Sequence, residues 1–398
     1  MPRVLIVAEA VTLAHVARPV ALAGGLDERF EVHLACSSRF DALLGELPYV
    51  RHELDSIAGA RFLDALDRGA PVYSAADLSR YVRADLELLG RVAPDVVVGD
   101  FRLSLSASAR LAGIPYATIT NVYWSPIAEV RFPLPELPLT RALGVRPVVR
   151  RVFGRVQPLA FALHTRPLNR VRREYGLPSL GHDLRRTYTD ADQVLYADAP
   201  ELAPPHSLAR GHRFLGPVLW SPVVAAPDWW ERLGDDRPVV YVSLGSSGKP
   251  ALLAAALNGL AELPVTVVAA AAGGSGSAPR NAFVAEYLPG EDACRRASVV
   301  VCNGGSPAVQ QALAAGRPVV GIAANMDQHL SMGSVVTAGA GVLVRSEQAT
   351  PRTVARAVRR LLEEDAFRLR AEAIGRQLAA HDAPAAFARA VEELVSRS

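Results

Sequence analysis

The sequence predicts an α/β protein made of two doubly wound parallel sheets. Three observations carry that prediction. Short unbroken apolar runs, each followed by a small-residue or polar turn and then a segment of helical period, recur in both halves of the chain. A Pro- and Trp-rich stretch at 216–238, GPVLWSPVVAAPDWWERLGDDRP, breaks the pattern between the halves. The length of 398 residues accommodates two domains, at about 100–200 residues each. The expected organisation is an N-terminal domain over 1–216, an inter-domain linker over 217–238 and a second domain over 239–380. A C-terminal helix within 381–398 is expected to pack back toward the first domain. Each domain should offer its loop edge to one cleft.

Composition narrows the function class. Half of the residues are hydrophobic, 50%, which fills two cores. No apolar run reaches the roughly 18 residues that span a bilayer. The N-terminus, MPRVLIVAEA, reads as a buried strand rather than a secretory signal. A net charge of +3 is too small to point to nucleic acid. The cations are almost all Arg, with Lys249 the single Lys. Cys36, Cys294 and Cys302 are widely spaced and form no CxxC or Cys/His pattern, so a reduced cytoplasm is the expected compartment. Cys302 reads as a small buried strand residue rather than a reactive thiol.

In the first half, residues 3–8 form a central parallel strand by their unbroken apolar run. A loop at 9–14, a helix at 16–26 and a strand at 31–35 complete a β-α-β unit. The unit lacks the GxGxxG turn, so NAD is not an expected ligand. It does place His15 on the loop entering the helix, read either as a catalytic group facing a cleft or as a structural cap. Residues 54–89 are mostly helical and carry Phe62, Tyr73 and Tyr81, read either as helix packing or as an acceptor pocket. The run at 95–99 is another strand, and Asp100 stands at its carboxyl end, on the same sheet edge as His15. A carboxylate that orients an imidazole suits general-base work. A helix at 103–112 and a strand at 116–120 follow, then the polar-aromatic loop NVYWSP at 121–126, where Trp124 either lines a pocket or packs. Arg146, Arg150, Arg151 and Arg155 recur at near-helical spacing, as on a solvated helix face or, in a minority reading, a peripheral membrane contact. Asp190 and Asp192 form a DxD before the strand at 193–197, at the wrong end of the sheet for a metal site.

The second half repeats the pattern. A strand at 239–243 leads into the turn Gly245-Ser246-Ser247-Gly248, a helix at 251–260 and a strand at 265–270. The turn can set amides and hydroxyls against a phosphate. The GGSGS run at 273–277 reads as a mobile loop, and 281–288 carries a strand and a turn. Next comes the most informative stretch, 299–332: a strand at 299–302, a glycine turn at 303–306, a helix at 307–315, a strand at 318–323 and a polar loop ending in Asp327-Gln328. Gly304 and Gly305 free the backbone to turn, and Pro307 suits a first helical turn. Free amides and the helix dipole make such a loop an anion site. Amphipathic helices at 353–364 and beyond, the last at 384–395, close the chain.

These residues resemble the family 1 (UDP-glycosyltransferase-like) inverting glycosyltransferases of the GT-B fold, bacterial natural-product and macrolide type, over essentially the whole chain. That family's donor signature runs H-x-G-x-x-(S/T)-x-x-E-A-L, then G-x-P, then D-Q. Here it stands as Asn303-Gly304-Gly305-Ser306-Pro307-Ala308-Val309-Gln310-Gln311-Ala312-Leu313, then Gly316-Arg317-Pro318, then Asp327-Gln328. Asn303 replaces a His that meets a diphosphate oxygen, and its amide donates without carrying charge. Gln311 replaces a Glu that grips a ribose diol, and it keeps one acceptor oxygen. Ala14-His15-Val16-Ala17-Arg18-Pro19 resembles the G-H-V-x-P loop with one additional residue between His and Pro.

The resemblance implies a GT-B fold, two Rossmann-like domains facing one cleft, and a hexose moved from a nucleotide diphosphate sugar to a hydroxyl of a small lipophilic acceptor, with inversion. His15 would be the base and Asp100 its support. Asn303, Gly304, Gly305, Ser306, Ser246 and Ser247 would hold the phosphates. Gln311, with Tyr287 and Leu288, would meet ribose and base, and Asp327 and Gln328 the sugar. Phe62, Tyr73, Tyr81 and Trp124 would form the acceptor pocket. No metal or other cofactor is expected, the donor being UDP- or dTDP-linked, and the chain is expected as monomer or homodimer. The alternatives are a membrane-associated transferase with a lipid acceptor, a UDP-sugar 2-epimerase of the same fold, and a silent nucleotide-sugar-binding partner subunit.

Overall fold

The structure, a computed structural model, describes residues 1–144, 147–205, 207–234, 236–245, 249–271 and 278–397. The chain divides into two compact units. One takes Met1–Ala42, Glu46–Val218 and the C-terminal stretch from Asp382, and the other takes Leu43–Gly45 and Leu219–His381.

The first unit is built on a seven-stranded parallel sheet. Its strands are β1 (Arg3–Ala8), β2 (Glu31–Cys36), β3 (Val50–Glu53), β4 (Val96–Asp100), β5 (Tyr116–Thr120), β6 (Gln193–Tyr196) and β7 (His212–Phe214). Val4, Leu5, Ile6, Val96, Val97 and Val98 have no exposed surface, as strands covered on both faces require. The helices between them are α1 (Ala14–Ala23), α2 (Asp41–Leu44), α3 (Gly59–Arg68), α4 (Ala75–Val92), α5 (Leu105–Ala112), α6 (Pro138–Leu143), α7 (Pro147–Glu174) and α8 (Arg185–Thr189). A reciprocal cap starts α4: Ser74 Oγ accepts from the Asp77 amide at 3.1 Å, and the Ser74 amide donates to Asp77 Oδ2 at 2.9 Å. The strand order is β3-β2-β1-β4-β5-β6-β7, so the winding direction reverses between β1 and β4. In sheets of this kind ligands bind beyond the carboxyl ends of the strands at such a reversal.

The second unit repeats the plan in six parallel strands. They are β8 (Val239–Ser243), β9 (Thr266–Ala270), β10 (Ala282–Ala285), β11 (Val299–Cys302), β12 (Val319–Ala323) and β13 (Gly341–Arg345). Around them lie α9 (Pro250–Leu260), α10 (Gly290–Arg296), α11 (Ser306–Ala314), α12 (Met326–Thr337), α13 (Pro351–Glu363) and α14 (Asp365–Leu378). The order β10-β9-β8-β11-β12-β13 puts the reversal between β8 and β11.

The last helix, α15 (Ala383–Val395), belongs to the first unit and packs on α1. Phe387, Val391 and Leu394 are its buried face. Arg29 and Arg213 pair with Glu392 and Glu393, each at 2.7 Å. From Leu219 onward the segment read as a linker clusters with the second unit. Trp230 is buried there beneath the Arg296 guanidinium, which also donates to its carbonyl at 2.7 Å.

Three expected elements differ. α1 begins at Ala14, so His15 sits in its first turn rather than on a free loop. Asp327 and Gln328 lie in the first turn of α12, capped by Asn325, whose side chain accepts from the Gln328 amide. The Arg-bearing helix runs on to Glu174, through Pro158 and Pro167.

Candidate active site

In the first unit, β4 ends on Asp100 and α1 begins beside it. The carboxylate is fully buried and takes three charge-assisted hydrogen bonds. His15 Nδ1 lies 2.8 Å from Oδ1. Arg18 reaches it twice, Nε to Oδ2 and Nη2 to Oδ1, both at 2.7 Å. An ionised carboxylate only accepts, so Nδ1 of His15 carries the proton and Nε2 presents its lone pair. Burial alone would raise the Asp100 carboxyl. The Arg18 charge and the His15 hydrogen bond outweigh it and hold the group below its ordinary value.

Arg18 also donates from Nη1 to Asn121 Oδ1 at 3.1 Å. Asn121 passes the chain on to Asp198 at 2.9 Å, and Asp198 accepts from the Val122 amide at 2.6 Å. The loop ends after β4, β5 and β6 are thus tied to one guanidinium. Arg18 is the additional residue between His15 and Pro19. Its spacing of three from His15 puts both on one face of α1.

Phe101 follows Asp100 with φ of 59°, a strained region for a residue with a Cβ. That turn lays its ring on the His15 imidazole, with centroids 4.6 Å apart. Tyr188 stacks on Phe101 at 5.9 Å, Trp124 lies 5.4 Å from Tyr188, and Phe132 lies 5.8 Å from Trp124. Trp124 therefore joins an aromatic wall that starts at the imidazole.

Beneath the wall is a second buried cluster. Arg102 donates from Nη1 to Glu9 Oε2 at 2.8 Å and from Nε to Asp85 Oδ1 at 3.1 Å. Its guanidinium lies 3.7 Å above the Tyr81 ring. Burial raises the Glu9 carboxyl above its ordinary value despite Arg102. Tyr81 corrects the expected acceptor pocket. Its hydroxyl donates to Glu9 at 2.9 Å and accepts from the Ile57 amide at 2.6 Å, and the residue is 2% exposed. Tyr73 and Phe62 are buried in the same cluster. Phe62 on α3 and Tyr73, on the connection before α4, back the Phe101 ring with centroids 5.9 and 6.2 Å from it, and Tyr81 on α4 packs behind Tyr73 at 5.7 Å.

The DxD carboxylates are also taken. Asp190 pairs with Arg110 at 2.8 Å and Arg172 at 2.7 Å, and Asp192 accepts from the Tyr116 amide at 2.9 Å. Among the described residues, no group of three or more His, Cys, Asp or Glu is placed to hold a metal ion.

In the second unit β8 and β11 are neighbours at the strand-order reversal, and a Cβ on Gly245 would fall 3.2 Å from Asn303 Nδ2. Gly304 takes φ of 77°, and a Cβ there would fall 2.6 Å from Met332 Cγ, so glycine is required. Asn303 folds back, and its Oδ1 accepts from the Gly305 amide at 2.9 Å. The Gly304 amide points at Cys302 Sγ, 3.3 Å away. Two amides expected to face phosphate are thus engaged within the turn, that of Gly305 by the Asn303 side-chain oxygen and that of Gly304 by the Cys302 sulfur. Ser306 begins α11 and its Oγ accepts from Gln310 at 2.9 Å. Ser246 and Ser247 lie outside the described residues.

Gln328 is 5% exposed, and its Oε1 accepts from the Ala324 amide at 2.8 Å, so its NH₂ is the end turned to other partners. It lines a cavity with Lys249, Asn303, Leu244, Leu252 and Ile322. Asp327 stands half-exposed beside it. Gln311 donates from Nε2 to the Trp220 carbonyl, and its Oε1 lies 2.9 Å from where a Gly290 Cβ would sit. Gly290 follows Tyr287 and buried Leu288 closely in the chain. Lys249 was flagged in the sequence only by its rarity. A single cation one residue before a helix gives no motif.

Comparison with known proteins follows the same lines. The erythromycin biosynthesis protein CIII-like C-terminal domain family matches residues 251–394. A PGL/p-HBAD biosynthesis glycosyltransferase of Mycobacterium tuberculosis is 55% identical over 369 residues, 92% of this chain and 86% of that one. A PGL/p-HBAD biosynthesis rhamnosyltransferase of Mycobacterium bovis is 55% identical over 92% of this chain and 82% of its own length. Among solved structures, spinosyn rhamnosyltransferase SpnG superposes with a TM-score of 0.70 at 20% identity, covering 98% of this chain and 100% of that one. The two doubly wound parallel domains are those of the GT-B fold. The chain belongs to family 1 of the GT-B glycosyltransferases, the bacterial natural-product type, and it is a glycosyltransferase that moves sugar from a donor.

Proposed function

We propose that the protein transfers a deoxyhexose, with inversion and without a metal ion, from a nucleotide diphosphate donor to a hydroxyl on a lipophilic aromatic acceptor. The observation that carries this reading is the His15–Asp100 pair of 2.8 Å, between the first turn of α1 and the end of β4, with the imidazole stacked on Phe101. His15 Nε2 takes the acceptor proton as the oxygen attacks the anomeric carbon, and the C–O bond to the diphosphate breaks on the opposite face. Asp100 holds the imidazole and stabilises its charged form. The wall of Phe101, Tyr188 and Trp124 suits an aromatic acceptor ring.

The donor falls to the second unit. The α11 N-terminus, Asn303 and Lys249 would hold the diphosphate, with Lys249 supplying the charge that Asn303 lacks. Gln311 offers one acceptor oxygen, which favours a deoxyribose donor, dTDP over UDP. The sugar is argued from the relatives, one of which is named a rhamnosyltransferase. The test is a thermal-shift series with dTDP- and UDP-sugars side by side. A donor that binds the native state raises the melting point. The reading expects dTDP-deoxyhexoses to stabilise most, and a response to UDP-hexoses alone would contradict it.

A further inference from the structure

The face of α7 that points away from the sheet is unlike the rest of the surface. Val148, Val152, Val156, Leu159 and Leu163 are 43–71% exposed. At 100° per residue they fall within about 80° of arc and run for about 22 Å along the helix. Leu139 and Leu143 on α6 extend the apolar surface, at 69% and 48% exposed. The opposite face is conventional: Thr165, Leu168, Val171 and Arg172 are buried, and the helix packs on α4. A stripe of this size left wet on one helix marks an interaction surface.

Charge selects the partner. Between Glu136 and Glu174 the sequence has nine Arg and no acidic residue. Arg151, Arg155 and Arg166 are exposed and border the stripe. A second copy docked by a two-fold axis would set this face against itself, Arg against Arg. An RNA would use the arginines and leave the stripe in water. An anionic bilayer satisfies both features, because the apolar side chains enter the acyl boundary while the guanidinium groups meet headgroup phosphates.

We propose that the outer face of α7, with α6, docks on an anionic phospholipid surface. The same helix also turns Phe161 inward, 4.9 Å from Phe132, which continues through Trp124 and Tyr188 to Phe101 and His15. An acceptor delivered from the lipid would thus meet an aromatic path toward the imidazole. That link rests on the acceptor reading above, whereas the docking surface does not.

The experiment is co-sedimentation of the full chain with phosphatidylcholine vesicles and with vesicles containing phosphatidylglycerol, without any sugar donor. The protein should sediment with the anionic vesicles and much less with neutral ones. Arg151→Gln with Arg155→Gln should weaken binding by about fivefold per charge. Val152→Ser with Leu159→Ser and Leu163→Ser should weaken it at least tenfold, with the melting point kept because the sites are exposed. Equal sedimentation with both vesicles, or variants that partition like the parent, would overturn the proposal. So would stripe variants that change the oligomeric state by light scattering and leave vesicle binding alone. Because no donor is present, failure here would leave the reaction assignment standing.

Discussion

Arg18 holds Asp100 with two hydrogen bonds of 2.7 Å each, from Nε and Nη2 to the two carboxylate oxygens. The pair is buried, and His15 shares one of those oxygens. Asp100 is therefore not a lone partner of the imidazole. It is a fixed carboxylate, clamped by a planar fork that cannot lose its proton.

Removing the clamp exposes its size. Arg18→Met leaves Asp100 buried with one partner and should cost ~3–5 kcal/mol of stability, the scale for breaking a buried pair. Arg18→Met with Asp100→Asn should be less destabilised than the sum, because the stranded charge is gone. Denaturant titration of the four proteins measures this. Simple additivity would show that the two side chains do not interact.

Acid stability should report the same group. The folded Asp100 carboxyl lies below its ordinary value of 3.8. Its contribution is present above that value and is lost as pH falls through the folded one, because the unfolded chain takes up the proton first. Asp100→Asn should flatten the fall in stability below about pH 4. Urea midpoints taken across the acid range provide the comparison, and an unchanged acid slope would remove Asp100 from the account.

Lys249 gives a donor-side prediction. Lys249→Met should weaken dTDP binding about 10- to 100-fold, the loss of one charge-assisted hydrogen bond at ~1.5–3 kcal/mol. Calorimetric titration with dTDP reads this directly. Wild-type affinity in the variant would put the diphosphate elsewhere.

The thiols should be silent. Burial pushes Cys294 and Cys302 up to about 12 and also raises Cys36, and all three are buried. A chromogenic disulfide reagent should find no fast thiol in the native protein and three after unfolding. Rapid native labelling at Cys302 would reopen a chemical role beside the glycine turn.

Much of the fold was legible because buried parallel strands write themselves as unbroken apolar runs. Tyr116–Thr120, Val239–Ser243 and Val299–Cys302 have the bounds the sequence predicts. His15 and Asp100 were legible as residues at strand ends. Their contact was not, since spacing along the chain says nothing about which strands neighbour one another. Arg18, Phe101 and Arg102 escaped for related reasons. An Arg one turn into a helix looks solvated until a buried carboxylate appears opposite, and a positive φ at a Phe leaves no mark in composition. The aromatic residues 62, 73 and 81 were visible, but helix phase alone does not separate a pocket wall from the core behind it. The outer face of α7 was visible as an Arg pattern, and only its exposed Val and Leu side chains show that it is more than a solvated surface.

The account stands on His15 as the base. The most direct test is the turnover of His15→Ala with a nucleotide sugar and an acceptor that the parent enzyme uses. Donor binding by thermal shift serves as the folding control. Turnover should fall by roughly 100-fold or more, with the donor-induced shift unchanged. A folded variant that binds donor and turns over at the parent rate would contradict the assignment.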